Sequence, residues 1–247
     1  MLTERDPKAF DLDAPDAAEQ MAQGRLHSRA LGAVGIISAI IAFLPLEALD
    51  DARDFAIWLA IITPVMGLTL YLKGRGLYQL DSNKHDPRPS VLFCTLVPSA
   101  VLGMLAMREH VMAPGNLLWP LGFVAAGCAI TAYMKPDESL GTGRRLSIAF
   151  TIAMSVFAWS AGAGVLINCR YDRSEPQTHQ VRLLTRFSSR GSKSTTYYWT
   201  LSAWGPFRDN ERFTVQPAEY RRAEPGAQIR VEVRRGLLGL EWFEFVP

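Results

Sequence analysis

Few residues in this chain could do chemistry. The strongest ligands and nucleophiles are four histidines, His27, His85, His110 and His179, and three cysteines, Cys94, Cys128 and Cys169. A zinc or redox site needs these types grouped at short spacing, as in CxxC or paired Cys/His motifs. No such grouping occurs, and the histidines fall in four separate segments. Each is read as a solvated loop or strand-edge histidine. GxSxG, HExxH and phosphate-loop patterns are absent, as is a GxGxxG placed between strand and helix. Two charged groupings come nearest to acid/base chemistry. Glu109 and His110 are adjacent and would be the candidates for a membrane enzyme acting on lipid, while Asp137 and Glu138 with Arg144 and Arg145 read better as a charged turn. The expectation is a non-enzymatic protein with no catalytic residue, no metal and no cofactor.

The elements that carry these residues are defined by where charge is missing. Mean hydropathy is only +0.06 and 20% of residues are charged, values a water-soluble protein could have. Yet the windows Leu31–Leu46, Phe55–Leu72, Ser90–Met107, Leu117–Met134 and Leu146–Ile167 hold no Asp, Glu, Lys, Arg or His. Exclusion on that scale is expected of a hydrocarbon solvent, where a central charge costs roughly 2.5–3.5 kcal/mol. Crossing a bilayer takes about 20 helical residues. The windows therefore predict a membrane α-helical bundle of about five transmembrane helices, with four as the alternative if the first lies on the surface. Residues 1–29 are polar and read as a cytoplasmic tail, so the first apolar run is expected to act as an uncleaved anchor. The bundle is assigned to 30–168 and a linker to 169–176.

Loop charges give an orientation. Arg25, Arg29, Lys73, Arg75, Lys84, Arg88, Lys135, Arg144 and Arg145 fall on one side, whereas the opposite loops hold Arg53 and Arg108. The positive-inside rule then puts the N-terminus in the cytoplasm and the C-terminal part outside it. Pro45, Pro64, Pro98 and Pro120 lie in or near the spans, where neighbouring helices can satisfy the freed backbone groups. Small residues recur four apart, as in Gly35/Ala39, Gly122/Ala126, Ala158/Gly162 and Ser160/Gly164. These favour close helix contact, read as packing within one bundle in preference to dimerisation. Cys94 and Cys128 are small apolar span residues; Cys169, at the end of the last span, reads as a free thiol.

From residue 177 the apolar blocks give way to period-two alternation. Val181, Leu183 and Phe187 alternate with Arg182 and Arg186. Tyr197, Trp199, Leu201 and Ala203 alternate with Tyr198, Thr200, Ser202 and Trp204. Ile229, Val231 and Val233 alternate with Arg230, Glu232 and Arg234. Shorter strands are expected near Phe213–Val215 and Trp242–Val246, with a helical turn over Pro217–Ala223. Residues 177–247 are thus expected to form a small all-β domain of five short strands, an SH3-like or OB-like barrel or bent sheet. Arg182, Arg186, Arg230 and Arg234 would alternate outward beside Tyr198 and Trp204, a possible partner-binding surface for an envelope protein or glycan. A plain solvated strand face would look the same. The basic bias is too mild for nucleic acid.

The segments TTYYWTLSAW at Thr195–Trp204, PGAQIRVEVRR at Pro225–Arg235 and GLEW at Gly239–Trp242, with Tyr220 between, resemble the tails of bacterial inner-membrane proteins. The likeness implies a bacterial inner membrane and carries no activity. The expected function is that of a membrane-anchored interaction or scaffold protein, partnered by the lipid bilayer and by an envelope component. The alternative is a small transporter or channel subunit. It is disfavoured because ion pathways use ionisable groups inside the spans. The hydroxyls there, Ser38, Thr63, Thr69, Thr95, Ser99, Thr131, Thr151, Ser155 and Ser160, can bond their own helix instead.

Overall fold

The computed structural model describes residues 14–43, 50–74, 77–79, 87–134, 142–192 and 194–246. Pro45, Arg75, Lys84, His85, Lys135, Asp137 and Glu138 lie outside them. The chain divides into two units, residues 1–108 with 115–166, and residues 109–114 with 167–247.

The first unit is helical. Its helices are α1 (Ala17–Phe43), α2 (Asp50–Lys73), α3 (Leu92–Ala106), α4 (Gly115–Met134) and most of α5 (Thr142–Arg170). The first begins well before its apolar run, because Ala17–Gln23 are good helix formers with Glu19 in the first turn. Among the described residues, three helices are long and apolar enough to cross a membrane: Ala17–Ala42, Ala52–Lys73 and Arg145–Arg170. Leu92–Ala106 and Gly115–Ile130 are shorter apolar helices.

Packing in this unit reverses the rule of a water-soluble protein. Ala42, Ala56 and Ala60 are fully buried beside Leu102 and Leu166, while Ile36, Ile40, Trp58, Ile62, Trp119, Phe123 and Phe150 are exposed. In water so much outward apolar surface would drive aggregation. Against lipid tails it costs nothing, and association relies instead on close backbone approach. Gly162 provides that approach, since a Cβ there would stand 2.5 Å from the Leu102 carbonyl carbon and 2.7 Å from the Gly103 nitrogen. A Cβ on Gly35 would meet the Pro98 ring at 2.9 Å, but one on Gly122 would meet nothing within 4 Å. Pro64 deprives the Ala60 carbonyl of its amide donor. In the same turn, the Trp159 indole donates to the Ile61 carbonyl at 2.9 Å and ties α5 to α2.

The second unit is a curved six-stranded antiparallel sheet in the order β1-β6-β5-β2-β3-β4. Five strands come from the C-terminal part: β2 (Gln177–Arg190), β3 (Thr195–Leu201), β4 (Glu211–Val215), β5 (Gln228–Arg234) and β6 (Trp242–Val246). The sixth, β1 (His110–Val111), comes from the connection between α3 and α4 and pairs with β6. A two-residue strand carries no periodicity, so the alternation that marks the longer strands cannot reveal it. The 14-residue β2 serves both halves of the sheet. It pairs with β5 over Gln177–Arg182 and with β3 over Leu183–Arg190. A bulge between Leu183 and Thr185 marks the change, and bulges bend a strand and sharpen its twist. Val181, Leu183, Trp199, Leu201, Ile229, Val231 and Phe243 form the core on the concave side. The short helix α6 (Pro217–Arg222) opens with the Gln216 amide donating to the Glu219 carboxylate at 2.6 Å.

Two polar residues near the end of α5 hold the turn that leads into β6. Asn168 accepts from the Leu238 and Leu240 amides at 2.9 and 3.4 Å and donates to the Leu240 carbonyl at 2.8 Å. Asp172 accepts from the Gly236 amide at 2.8 Å, the Trp242 indole at 2.9 Å and the Ser174 amide and hydroxyl at 2.8 and 3.0 Å. Partial desolvation pushes its carboxyl up; these donors outweigh it and hold the carboxyl below its ordinary value.

Two outcomes follow from this packing. Gly162→Ala should lower thermal stability of the detergent-solubilised protein by about 1–3 kcal/mol, the cost of forcing a methyl into packed backbone, whereas Gly122→Ala should cost nothing measurable. Asp172→Asn should destabilise the β-rich unit by about 1–2 kcal/mol at pH 7, the scale for hydrogen bonds to a charged acceptor. Because the native carboxyl titrates below its unfolded value, that stabilisation is complete above the unfolded pKa of about 3.9. It is lost as pH falls through the lower native value. The gap between wild type and variant, followed by tryptophan fluorescence on denaturation, should therefore close on acidification below about pH 4.

Candidate functional site

Antiparallel partners directly opposite each other point to the same face of a sheet, so the register assigns every residue of the expected surface that lies in a strand. On the convex face, β2 contributes Arg182, and β5 contributes Arg230, Glu232 and Arg234. Tyr198 lies on the same face, opposite Phe187 and Thr214. Arg186 does not. It pairs with the buried Trp199, and so faces the concave side. The bulge supplies the reason: one extra residue between Leu183 and Thr185 reverses the phase of everything after it. The Arg186 guanidinium donates to the Tyr220 and Ala223 carbonyls at 3.2 and 2.9 Å and pairs with Glu224 at 2.8 Å. It also lies over the Tyr220 ring at 5.2 Å. It is a structural cation beneath α6. Trp204 also leaves the expected surface, and only 7% of it is exposed. The strand ends at Leu201, three residues short of the alternation expected from the sequence, and a tight turn follows in which Trp204 and Phe207 exchange amide–carbonyl bonds at 2.9 and 2.8 Å. Gly205, at φ +46°, allows that turn and folds the indole inward.

The convex face that remains is organised by stacking and charge. Tyr198 stacks on Phe187 with centroids 4.8 Å apart and planes within 13°, and the Arg212 guanidinium lies 4.5 Å above the Phe187 ring. Glu232 is buried between its neighbours, accepting from Arg230 at 2.7 Å and Arg234 at 3.2 Å. Arg234 also lies 3.5 Å from Glu244. Arg182 is exposed, and among the described residues its guanidinium has no partner. Arg182, Arg212, Arg230 and Arg234 thus outnumber Glu232 and Glu244, and the face is electropositive. Arg212 and Phe187 complete it; their signal in the sequence is the cross-strand position, which becomes visible only once the register is known.

On the concave side an open hollow of about 560 Å³ lies at the β1 end of the sheet. Glu109, His110, Phe207, Phe213, Glu241 and Phe243 line it. His110, expected to be a solvated loop residue, stacks on Phe243 with centroids 4.9 Å apart and planes within 12°, and meets Phe245 edge-on at 5.2 Å. Burial pushes its pKa down, so the ring is neutral near pH 7. His179 lies 5.7 Å from the Trp204 ring. Among the described residues no group of His, Cys, Asp and Glu could hold a metal ion.

Within the helices, Ser38, Thr63, Thr69, Thr95, Ser99, Thr151 and Ser160 donate to carbonyls three or four residues earlier in their own helix, at 2.6–2.9 Å. Ser155 is buried without a partner among the described residues. No known protein family, curated protein or solved structure matches the chain.

The opposite placements of Arg182 and Arg186 can be measured. Arg186→Ala should destabilise the protein by about 1.5–3 kcal/mol, because it removes charge-assisted bonds to two carbonyls. Arg182→Ala should shift stability by no more than about 0.5 kcal/mol, as for an exposed surface change. Chemical denaturation of both variants tests the phase reversal directly.

Proposed function

We infer that this is a multi-pass membrane protein whose β-rich unit binds an anionic partner in the cell envelope, an acidic protein surface or glycan, while the helices anchor it. The observation that carries the reading is the convex face. The sheet register gathers four arginines and a stacked Tyr198–Phe187 pair there. Aromatic and arginine side chains are the types most enriched where binding energy concentrates. The outward-facing apolar side chains of the helices support the anchor role.

A bacterial inner membrane, five spans, a cytoplasmic N-terminus and an outer β-rich unit complete the proposal. Loop charges motivate this orientation. The β1–β6 pairing supports α4 and α5 crossing as a pair, because it joins the α3–α4 connection to the C-terminal strands, and it favours neither orientation. The transporter alternative draws little support from the helices, since Thr63, Thr95, Ser99 and Ser160, which could line a polar path, bond their own backbones and Ser155 alone of the described hydroxyls is buried without a partner.

The test uses the full chain, because a fragment beginning at residue 174 would lose β1, Asn168 and Asp172. A photo-crosslinking residue at Tyr198 should trap an envelope component in cells, and Arg182→Glu combined with Arg230→Glu should abolish the adduct. An adduct unchanged by both charge reversals would defeat the proposed surface. Alkaline phosphatase fused after Val246 should be active and fused after Arg88 inactive; the opposite pattern would place the β-rich unit in the cytoplasm.

A further inference from the structure

The concave hollow is separate from the convex face, and its chemistry points to a different ligand. Its walls are aromatic and apolar, from Phe207, Phe213, Phe243, Val111 and Met112, and its carboxylates are Glu109, already engaged within the protein, and the exposed Glu241. Among the described residues, no lysine or arginine lines it. His110 adds no positive charge there, being neutral. A volume of about 560 Å³ is within the range of small-molecule sites. The lining also includes Ala113, which holds φ +48°. A left-handed backbone costs a side-chain-bearing residue roughly 1–2 kcal/mol, and such conformations cluster at ligand sites.

An anion would meet the Glu241 carboxylate and, among the described residues, no donor side chain stronger than an imidazole. An inorganic divalent cation would want six or more oxygens, and the described residues offer no such group. A primary ammonium would have to exchange its strong hydration for several hydrogen bonds, which phenyl rings do not supply. An alkylated ammonium has no N–H to satisfy, sheds water easily and is attracted by aromatic rings and by carboxylates at the rim. We propose that the hollow formed by β1, the 204–207 turn, β4 and β6 binds a methylated ammonium group of the choline type. The group could arrive free in solution or as the headgroup of a phosphocholine lipid.

Choline serves as the probe, added to the full-length protein in maltoside micelles that lack choline headgroups. Binding is read by calorimetry and by tryptophan fluorescence, since the Trp204 ring lies 5.0 Å from Phe207 and 5.3 Å from Phe243. Saturable binding is expected. The neutral carbon isostere of choline should bind far more weakly. Glu241→Gln and Phe213→Leu should each weaken choline by roughly three- to tenfold, the scale of one cation–π or rim-charge contact. Glu241 is exposed, and its backbone carbonyl keeps the 2.7 Å bond from the Met112 amide in the variant, so this substitution reads binding even if Phe213→Leu fails to fold. Protein reconstituted in phosphatidylcholine should ignore added choline if the lipid is the source, and respond as in micelles if the free compound is. Absence of saturable binding, equal binding of the isostere, or unchanged affinity in Glu241→Gln would overturn the proposal.

Discussion

The side chain of Asn168 has no exposed surface, and a primary amide can stay buried only if its hydrogen bonds are made. Here the oxygen accepts from two backbone amides and the nitrogen donates to a carbonyl, all within Leu238–Leu240. The Asn168 carbonyl accepts from Leu237 as well. This fixes a turn whose glycines, Gly236 and Gly239, hold φ +75° and +77°, values only glycine adopts at little cost. Asp172 closes the same turn from the other end through Gly236 and Trp242. Where β6 begins, and hence its register against β5 and β1, follows from this clamp.

That register places Phe243 at the centre of the aromatic cluster. Its ring lies within 6.1 Å, centroid to centroid, of His110, Trp204, Phe207, Phe213 and Phe245. Shifting β6 by one residue would exchange Phe243 for Trp242 on the concave side, empty the hollow's floor and separate His110 from its stacking partner. The convex face depends on the same ladder, because Arg234 and Glu244 meet across β5 and β6. Two chemically opposite surfaces, one electropositive and one aromatic with carboxylates, thus share one backbone scaffold.

The helical unit rests on a different balance. With apolar side chains outside, transfer from water contributes little to helix association, and contact between backbones takes over. Gly162 against Leu102 and Gly103 is where this contact is visible; Gly35 against the Pro98 ring and the Trp159–Ile61 bond add a side chain on one side. The small-residue spacing in the sequence suggested close packing, but Gly122, with the same spacing, faces open space. Spacing states that an approach is possible; only the neighbour's position decides whether it is used.

The sequence by itself determined what depends on local period and solvent. Charge-free windows located the apolar helices, and alternation located three of the C-terminal strands, with short apolar stretches between turns marking the other two, because these signals repeat within a few residues. It also placed Arg182, Tyr198, Arg230 and Arg234 on one face. Tertiary structure alone decided the rest. Arg186 turned inward because a single inserted residue reverses strand phase, and the residues themselves do not announce where the insertion falls. Trp204 turned inward because the strand ends three residues before it. His110 became part of an aromatic wall because two residues from a helical connection pair with a strand more than a hundred positions later. A pairing so short and so distant leaves no periodicity to read, and its stability comes from the register that Asn168 and Asp172 impose on β6.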